Sequence, residues 1–194
     1  MLINLRNALM TGKRLPYDAE VEYLETAGGQ YINTGVKIYN DTSVTVAWYS
    51  NYSTSTSSNF FGSNSSSERF YFREYNGGAS YSLGGWWTNT STSVVGTHTI
   101  EMSNGGISID GVSSARAGDS KTGTGTFYLF DVPPYGYAPS GMRCYSCKIY
   151  QNNTLVFDAI PVRKGTVGYL YDRVSGKLFG NAGTGDFVAG PDKN

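Results

Sequence analysis

Apolar and polar residues alternate with a period of two along most of the chain after Pro16, which is the pattern of half-buried β-strands. In the stretch 69–75, Phe70 and Phe72 fall on one face of the predicted strand. The opposite face carries alternating cations and tyrosines, namely Arg69, Tyr71, Arg73 and Tyr75. We expect the phenylalanines to face the core, because a slip of one residue would reverse every side chain of the strand.

Turn signals separate the alternating runs. The clearest is Asn104-Gly105 within the turn 103–106, because Asn-Gly between alternating strands is a strong hairpin signal. The hairpin predicts that Ile107 and Ile109 face the core. Further hairpins are predicted across Asn152-Asn153 and across Ser175-Gly176. Short strands at this spacing with glycine-rich turns predict an antiparallel two-sheet β-sandwich with almost no helix.

The first fifteen residues differ from the rest. Leu2, Leu5 and Leu9 recur at helical spacing, and Gly12 and Pro16 bound the segment. We therefore divide the chain into an N-terminal helical or extended arm, 1–15, and one β-sandwich domain, 16–194. The arm could begin the chain without fixed structure, fold back on its own domain, or become ordered only on a partner chain and anchor assembly.

Composition narrows the range of functions. Lysine plus arginine and aspartate plus glutamate each number 15, so the formal net charge is zero, and we expect no nucleic-acid binding driven by phosphate neutralisation. Charged residues make up only 15% of the chain, which is low, and aromatic residues make up 14%, which is high. This composition disfavours both a helical bundle and a disordered chain. No apolar run has the length of a membrane-spanning helix, and no continuous apolar stretch of the N-terminus suits a secretory signal. The sequence therefore predicts neither membrane insertion nor secretion by that route.

The order of motifs resembles one known group of domains. The stretches that carry the resemblance are Glu22–Thr26 and Gln30–Gly35, the hairpin strands His98–Met102 and Ile107–Gly111, and the closing pairs Tyr145–Tyr150 with Leu155–Asp158 and Gly168–Asp172 with Phe179–Gly183. Over roughly residues 16–191 the chain resembles concanavalin A-like lectin/glucanase (laminin-G-like) jelly-roll domains of the type found in structural proteins of gut bacteriophages and prophages.

The resemblance implies an all-β jelly roll that acts as a binding module. It implies a non-enzymatic bacteriophage virion protein, a fibre or decoration subunit of tail or head, that attaches to host-surface glycans. Such a protein would assemble in the host bacterial cytoplasm, contact other virion proteins through the arm, and form a homo-oligomer. Two alternatives stay open: a purely structural virion subunit without its own ligand, and a bacterial surface carbohydrate-binding module.

Residues that could carry catalysis are few. A glycoside hydrolase needs two carboxylates about 5–10 Å apart, and Glu20 and Glu22 have the spacing of one strand face. Glu25 breaks that period, however, and no tryptophan-rich strand surrounds the pair. His98, the single histidine, is in phase with Ile100, and we therefore expect its side chain to be partly buried and hydrogen-bonded. We therefore predict a protein that is not an enzyme.

Metal and cofactor sites find little support. Laminin-G-like domains often bind calcium through loop carboxylates, and four aspartates lie in or beside loops without clustering, namely Asp41, Asp110, Asp119 and Asp131. We predict no cofactor, with calcium as the one ion left open. Cys144 and Cys147 are three apart, so a regular strand would point them to opposite faces, and we expect thiols that fill a strand rather than a disulfide or zinc site.

Glycan binding requires aromatic faces for the C–H surfaces of sugars and planar polar groups for their hydroxyls. The sequence offers both in six candidate residues: Arg69, Tyr71, Arg73, Tyr75, Trp86 and Trp87. Adjacent tryptophans in an extended strand should point to opposite faces, one into the core and one to solvent. Two free guanidinium groups would favour acidic glycans. The alternatives are that these rings only cover the sheet or pack against a neighbouring subunit. A second aromatic candidate is the loop 133–137.

Overall fold

The structure, a computed structural model, describes residues 14–51, 58–65, 68–85, 87–134, 136 and 138–194, and none of these lies in a helix. They form strands β1 (Ala19–Glu20), β2 (Leu24–Glu25), β3 (Ile32–Tyr39), β4 (Ser43–Ser50), β5 (Ser58–Ser65), β6 (Glu68–Tyr75), β7 (Gly78–Ser82), β8 (Trp87–Asn89), β9 (Gly96–Ser103), β10 (Gly106–Ile109), β11 (Val112–Ala115), β12 (Thr122–Leu129), β13 (Arg143–Gln151), β14 (Thr154–Lys164), β15 (Val167–Asp172), β16 (Lys177–Phe179) and β17 (Phe187–Ala189).

These strands form two antiparallel sheets. The larger sheet has the order β1-β14-β15-β17-β2-β13-β4-β9-β10-β11, with β16 paired to β15 and β13 also paired directly to β14. The smaller sheet has the order β3-β12-β5-β6-β7-β8. The fold is thus the predicted all-β two-sheet sandwich, and it is consistent with a jelly roll.

The core between the sheets is rich in aromatic side chains. Trp48 from β4 stacks on Phe60 from β5, with ring centroids 5.6 Å apart, and Phe61 stacks on Phe72 from β6 at 5.4 Å. Phe70 and Phe72 both belong to this core, whereas Tyr71 between them does not, which confirms the predicted register of β6. Such ring pairs contribute roughly 0.5–1.5 kcal/mol each beyond the area they bury.

The predicted hairpins are confirmed at their turns. Ser103 pairs with Gly106, so the first turn consists of Asn104-Gly105, and Ile107 and Ile109 are buried as expected. The turn between β13 and β14 is Asn152-Asn153. Both asparagines have positive φ, 47° and 59°, which asparagine tolerates better than most residues.

A β-bulge changes the inner face of β5. The adjacent residues Phe60 and Phe61 would alternate between faces in a regular strand, yet both are fully buried. The pairing with β6 shifts register between Asn59 and Phe61, and the extra residue lets both rings enter the core. The short strand predicted from Phe60-Phe61 is in fact the eight-residue strand β5, because the polar residues on both sides of the two rings also pair with β6.

The expectation that the two cysteines point to opposite faces is wrong. Cys144 and Cys147 are both free and both fully buried in the core, because the pairing of β13 with β4 shifts register between Cys144 and Ser146. Burial raises the pKa of Cys144 to about 12 and raises that of Cys147 well above its ordinary value. Their role as thiols that fill a strand is confirmed.

The proposed arm lies almost entirely outside the described residues, which begin at Arg14. Leu15 packs against a small apolar cluster, separate from the main core, that contains Tyr17, Ile160 and Val162. The part of the chain that the structure describes contains no helix long and apolar enough to cross a membrane.

Candidate functional site

The outer face of the smaller sheet carries the predicted glycan-binding residues. The flanking strands present small side chains there: Gly62 and Ser82 lie opposite Tyr71, and Ser80 lies opposite Arg73. Trp87 pairs with Ser82 and therefore shares this face. The sheet thus brings four of the six predicted residues together, which we call the Arg73 cluster: Tyr71, Arg73, Tyr75 and Trp87.

Arg73 is the centre of this cluster. Its guanidinium carbon lies 5.5 Å from the ring centroid of Tyr71, 5.0 Å from that of Tyr75 and 5.3 Å from that of Trp87. Each distance is within the range of a cation–π interaction. The Trp87 side chain remains 48% exposed, so the cluster presents an accessible indole supported from within by a cation.

The predicted platform of two exposed tyrosines is corrected by the burial of Tyr71. Tyr71 is fully buried and Arg73 is only 7% exposed, whereas Tyr75 is half-buried. Alternation in the sequence placed these residues on the outer face, but it did not show that neighbouring groups cover two of them. Within the Arg73 cluster, the rings available to a ligand are therefore those of Trp87 and Tyr75.

Arg69 has a different task from the one predicted. Its Nη1 donates a hydrogen bond to Gly85 O at 2.6 Å, and Gly85 N in turn donates to Asp119 Oδ2 at 2.5 Å. Through this bond Arg69 helps to hold the turn that precedes Trp87. Trp86 lies outside the described residues.

Lys121 stabilises the same turn, the one that precedes Trp87, through three hydrogen bonds. Its ammonium group donates to Leu83 O at 2.8 Å, to Asn104 Oδ1 at 2.5 Å and to Asp119 O at 2.8 Å. The side chain is almost fully buried, and that burial lowers the pKa of Lys121. A buried ammonium group with three acceptors fixes the chain that leads to Trp87.

Glu68 connects the first residue of β6 to β12. Its carboxylate accepts hydrogen bonds from Thr122 N at 2.9 Å, from the Thr122 hydroxyl and from Thr124 N at 3.2 Å. The hydrogen bonds from Thr122, led by that of its hydroxyl, lower the pKa of Glu68 to about 2. The strand that carries the Arg73 cluster is thus anchored at its start by an ionised carboxylate.

The loop 133–137, the second aromatic candidate, lies beside this face. Its Gly136 O accepts a hydrogen bond from Asn59 Nδ2 at 3.1 Å, and Asn59 pairs with Arg73 across β5 and β6. The two tyrosines of the loop, Tyr135 and Tyr137, lie outside the described residues.

The residues considered for catalysis do not form a paired site. Strand β1 ends at Glu20, which accepts a hydrogen bond from Tyr17 Oη at 3.4 Å, and Glu22 lies beyond the strand, so the expected shared strand face is wrong. His98 is partly buried as predicted, with Nδ1 2.7 Å from Asp110 Oδ2 and Nε2 3.2 Å from Val95 O. Both ring nitrogens are thus engaged in hydrogen bonds.

The four loop aspartates have different surroundings. Asp110 contacts His98, and that hydrogen bond lowers the pKa of Asp110. Asp119 accepts from Gly85, Asp41 is exposed, and Asp131 is buried, which raises its pKa. Among the described residues, no group of three or more histidine, cysteine, aspartate or glutamate side chains could hold a metal ion.

Sequence reasoning missed a groove of about 470 Å³ on the larger sheet. Small hydroxyl side chains make up much of its lining, including Thr45, Ser108 and Ser113, with Glu101 and Tyr150 beside them. The sequence contains no distinctive signal for it, because serine and threonine are abundant throughout the chain and the groove joins strands that are far apart in sequence.

Comparison with known proteins supports the fold. No protein-family model matches the sequence, and no curated protein matches it. The fold is similar to that of a crystal structure from Bacteroides ovatus ATCC 8483, a protein whose assignment as carbohydrate-binding is provisional. The TM-score is 0.60 at 12% sequence identity, and the match covers 90% of this chain but only 61% of the other. At that identity the similarity shows a shared fold.

Proposed function

We propose that this chain is a carbohydrate-binding module of the concanavalin A-like, laminin-G-like type, and that it binds through the Arg73 cluster. The observation that carries the proposal is the half-exposed indole of Trp87 above the Arg73 guanidinium. An accessible tryptophan on a sheet gains little from water, whereas it packs well against the C–H face of a sugar ring. The provisional carbohydrate-binding assignment of the Bacteroides ovatus protein is in line with this proposal.

The geometry favours uncharged glycans over acidic ones. Arg69 directs Nη1 to Gly85 O, and Arg73 is only 7% exposed among three rings, so the centre of the cluster presents ring faces rather than its guanidinium group. Binding then depends on stacking on Trp87, with Tyr75 as the second accessible ring that contacts Arg73. Because stacking is weakly screened by salt, we expect glycan affinity to change less than about twofold between low and high ionic strength.

The module is proposed to be non-enzymatic. The glutamates with the spacing of a catalytic pair do not share a strand, and both nitrogens of the single histidine are engaged in hydrogen bonds. Incubation with polysaccharides that the protein binds should release no new reducing ends. Release of reducing sugar that persists in a Trp87→Ala variant would contradict this part of the proposal.

The biological setting is proposed to be a bacteriophage virion, in which the module attaches to host-surface glycans. The support is the order of motifs from Glu22 to Gly183, which resembles domains of phage and prophage structural proteins. Tail or capsid genes beside the coding gene would support this setting. Genes for polysaccharide uptake in its place would favour a bacterial surface module.

The decisive experiment is a glycan array probed with the wild-type protein and with Trp87→Ala. We expect wild type to bind a restricted set of glycans and the variant to lose at least about tenfold in affinity, which corresponds to about 1.4 kcal/mol. Tyr39→Ala is the matched control, because Tyr39 is 43% exposed on β3, at the opposite edge of the same sheet. Its binding should equal that of wild type.

Two results would contradict the proposal. Equal binding by wild type and Trp87→Ala would remove the Arg73 cluster as the site and would direct attention to the groove beside Thr45 and Glu101. No binding by wild type to any bacterial or animal glycan would favour a structural subunit without its own ligand.

A further inference from the structure

The edge of the larger sheet at β11 carries backbone groups that no described residue bonds. β11 pairs with β10 on one side and is the last strand of the sheet. Its residue Val112 is 77% exposed, the highest value among the large apolar side chains of the described residues. The stretch 111–115 contains no proline and no charged residue. These residue types usually protect an edge strand from pairing with another chain.

The direction of these groups follows from the hairpin. Arg116 N donates to Gly105 O at 3.0 Å, and hydrogen-bonded pairs alternate along an antiparallel ladder. Val112 and Ser114 therefore direct their backbone groups toward β10, opposite Ile109 and Ile107. It follows that Ser113 and Ala115 direct their backbone N–H and C=O groups outward from the sheet.

Other ends of the two sheets are protected. The outer side of β1 is bonded by the C-terminal residues, with Lys193 N donating to Glu20 O at 2.9 Å. On β3, Gln151 Nε2 donates to Lys37 O at 2.6 Å. Strand β8 is only three residues long. Among the described strands, β11 thus differs from these edges in having unpaired outward backbone groups and an exposed apolar residue.

We infer that the β11 edge is an interaction surface for a second copy of this chain, which adds its own β11 antiparallel across a two-fold axis. Centred on Ser114, this pairing places Ser113 opposite Ala115 of the second copy and joins all outward backbone groups. The same register places Val112 opposite Arg116 of the second copy, whose aliphatic stem would cover the exposed valine.

Charge favours the antiparallel arrangement. Asp110 precedes β11 and Arg116 follows it, so an antiparallel pair brings each carboxylate toward the arginine of the other copy. A parallel pair would place like charges together instead. The side chain of Asp110 is 50% exposed, so it can take part while it also contacts His98. A dimer of this kind would carry two Arg73 clusters and could bind a multivalent glycan surface with greater avidity.

Cysteine cross-linking of the full chain tests both the surface and its register. In the proposed dimer the two Ser114 positions face each other as a non-hydrogen-bonded pair, with Cα atoms about 4.5 Å apart, close enough for a disulfide. Ser114→Cys should therefore form a covalent dimer under mild oxidation. Ser113→Cys is the control, because its Cα pairs with that of Ala115 and the two introduced thiols would be too far apart. The natural cysteines are buried and should not contribute.

Sedimentation velocity supplies a second measurement. Wild type should associate reversibly with rising concentration, and Ser113→Pro should lose this association, because proline removes an outward N–H without affecting a bond to β10. The far-ultraviolet circular dichroism of the variant should match that of wild type. The inference is overturned if wild type stays monomeric at the highest attainable concentration, or if Ser113→Cys cross-links as well as Ser114→Cys. Neither result bears on glycan binding by a single copy.

Discussion

Two arginines surrounded by aromatic rings lie on opposite sheets of this protein, and we propose that they serve different purposes. On the larger sheet, Arg143 lies 4.2 Å from the ring centroid of Tyr23 and 5.1 Å from that of Tyr49. Its Nε also donates to Glu25 Oε2 at 2.6 Å, and this hydrogen bond raises the pKa of Arg143. Arg143 therefore ties β13 to β2 and β4. We call this group, with Tyr145 at the edge of Tyr23, the Arg143 cluster.

The Arg73 cluster uses the same residue types with a different outcome. Its guanidinium group lies beneath an indole that is 48% exposed, whereas the three tyrosines around Arg143 are half-buried. The comparison shows that a cation beside aromatic rings does not by itself indicate a binding site. What distinguishes the two clusters is whether a ring face remains accessible and whether the cation is already joined to a carboxylate of a neighbouring strand.

A side chain at Gly62, which lies opposite Tyr71, should have the largest effect on stability. Gly62 has φ +128°, and a Cβ added there would overlap the backbone of Phe70 and Tyr71. Gly62→Ala should therefore destabilise the protein by about 3 kcal/mol and disrupt the Arg73 cluster, while the Arg143 cluster stays intact. Urea unfolding measures the loss. Gly105→Ala is the control, because its Cβ would meet nothing closer than 3.7 Å, and an equal loss there would contradict this account.

Loss of Arg143 should reduce stability without reducing glycan affinity. Arg143→Ala removes a partly exposed ion pair and two cation–π contacts, which together should cost about 1–2 kcal/mol. For a chain of this length the melting temperature should fall by roughly 3–6 °C. Calorimetry measures the shift, and a glycan-binding assay on the same sample completes the test. A fall in glycan affinity would show that the larger sheet contributes to the ligand site.

A matched pair of tyrosine substitutions should separate the two clusters in the opposite sense. Tyr75→Ala removes the second accessible ring that contacts Arg73 and should lower glycan affinity several-fold, roughly 1 kcal/mol, with little change in stability. Tyr23→Ala should leave affinity unchanged and lower the melting temperature. Titration calorimetry and thermal unfolding of both variants give the two readouts. The same effect on affinity from both substitutions would contradict the assignment of the site.

Acid should weaken the smaller sheet through Glu68, and this is the smallest effect expected. Because the folded-state pKa of about 2 lies below the ordinary value of 4.5, the carboxylate contributes stability that is present above the ordinary pKa. That contribution is lost as the pH falls from the ordinary pKa through about 2. Glu68→Gln should therefore be less stable at neutral pH and less sensitive to acid over this range. Denaturant unfolding at several pH values measures the slope, and an unchanged slope would contradict the role of the Thr122 and Thr124 bonds.

Several features of this fold follow from the sequence alone. Alternation at Phe70 and Phe72 gave the register of β6, and Asn104-Gly105 and Asn152-Asn153 located two hairpin turns. These signals are local: a period of two assigns faces, and asparagine and glycine favour tight turns, whatever the rest of the chain does.

The tertiary structure decided which of the outward residues a ligand could reach. Bulges near Phe60 and Cys144 changed the faces of their strands. The position of a bulge depends on how the partner strand pairs, so the alternation of residues along a single strand does not predict it. The burial of Tyr71 and the bond from Arg69 to Gly85 likewise depend on groups that only the folded sheet brings near. The sequence by itself determined the faces of the regular strands, whereas the packing of distant segments determined where bulges reverse a face and which part of the outer face is accessible.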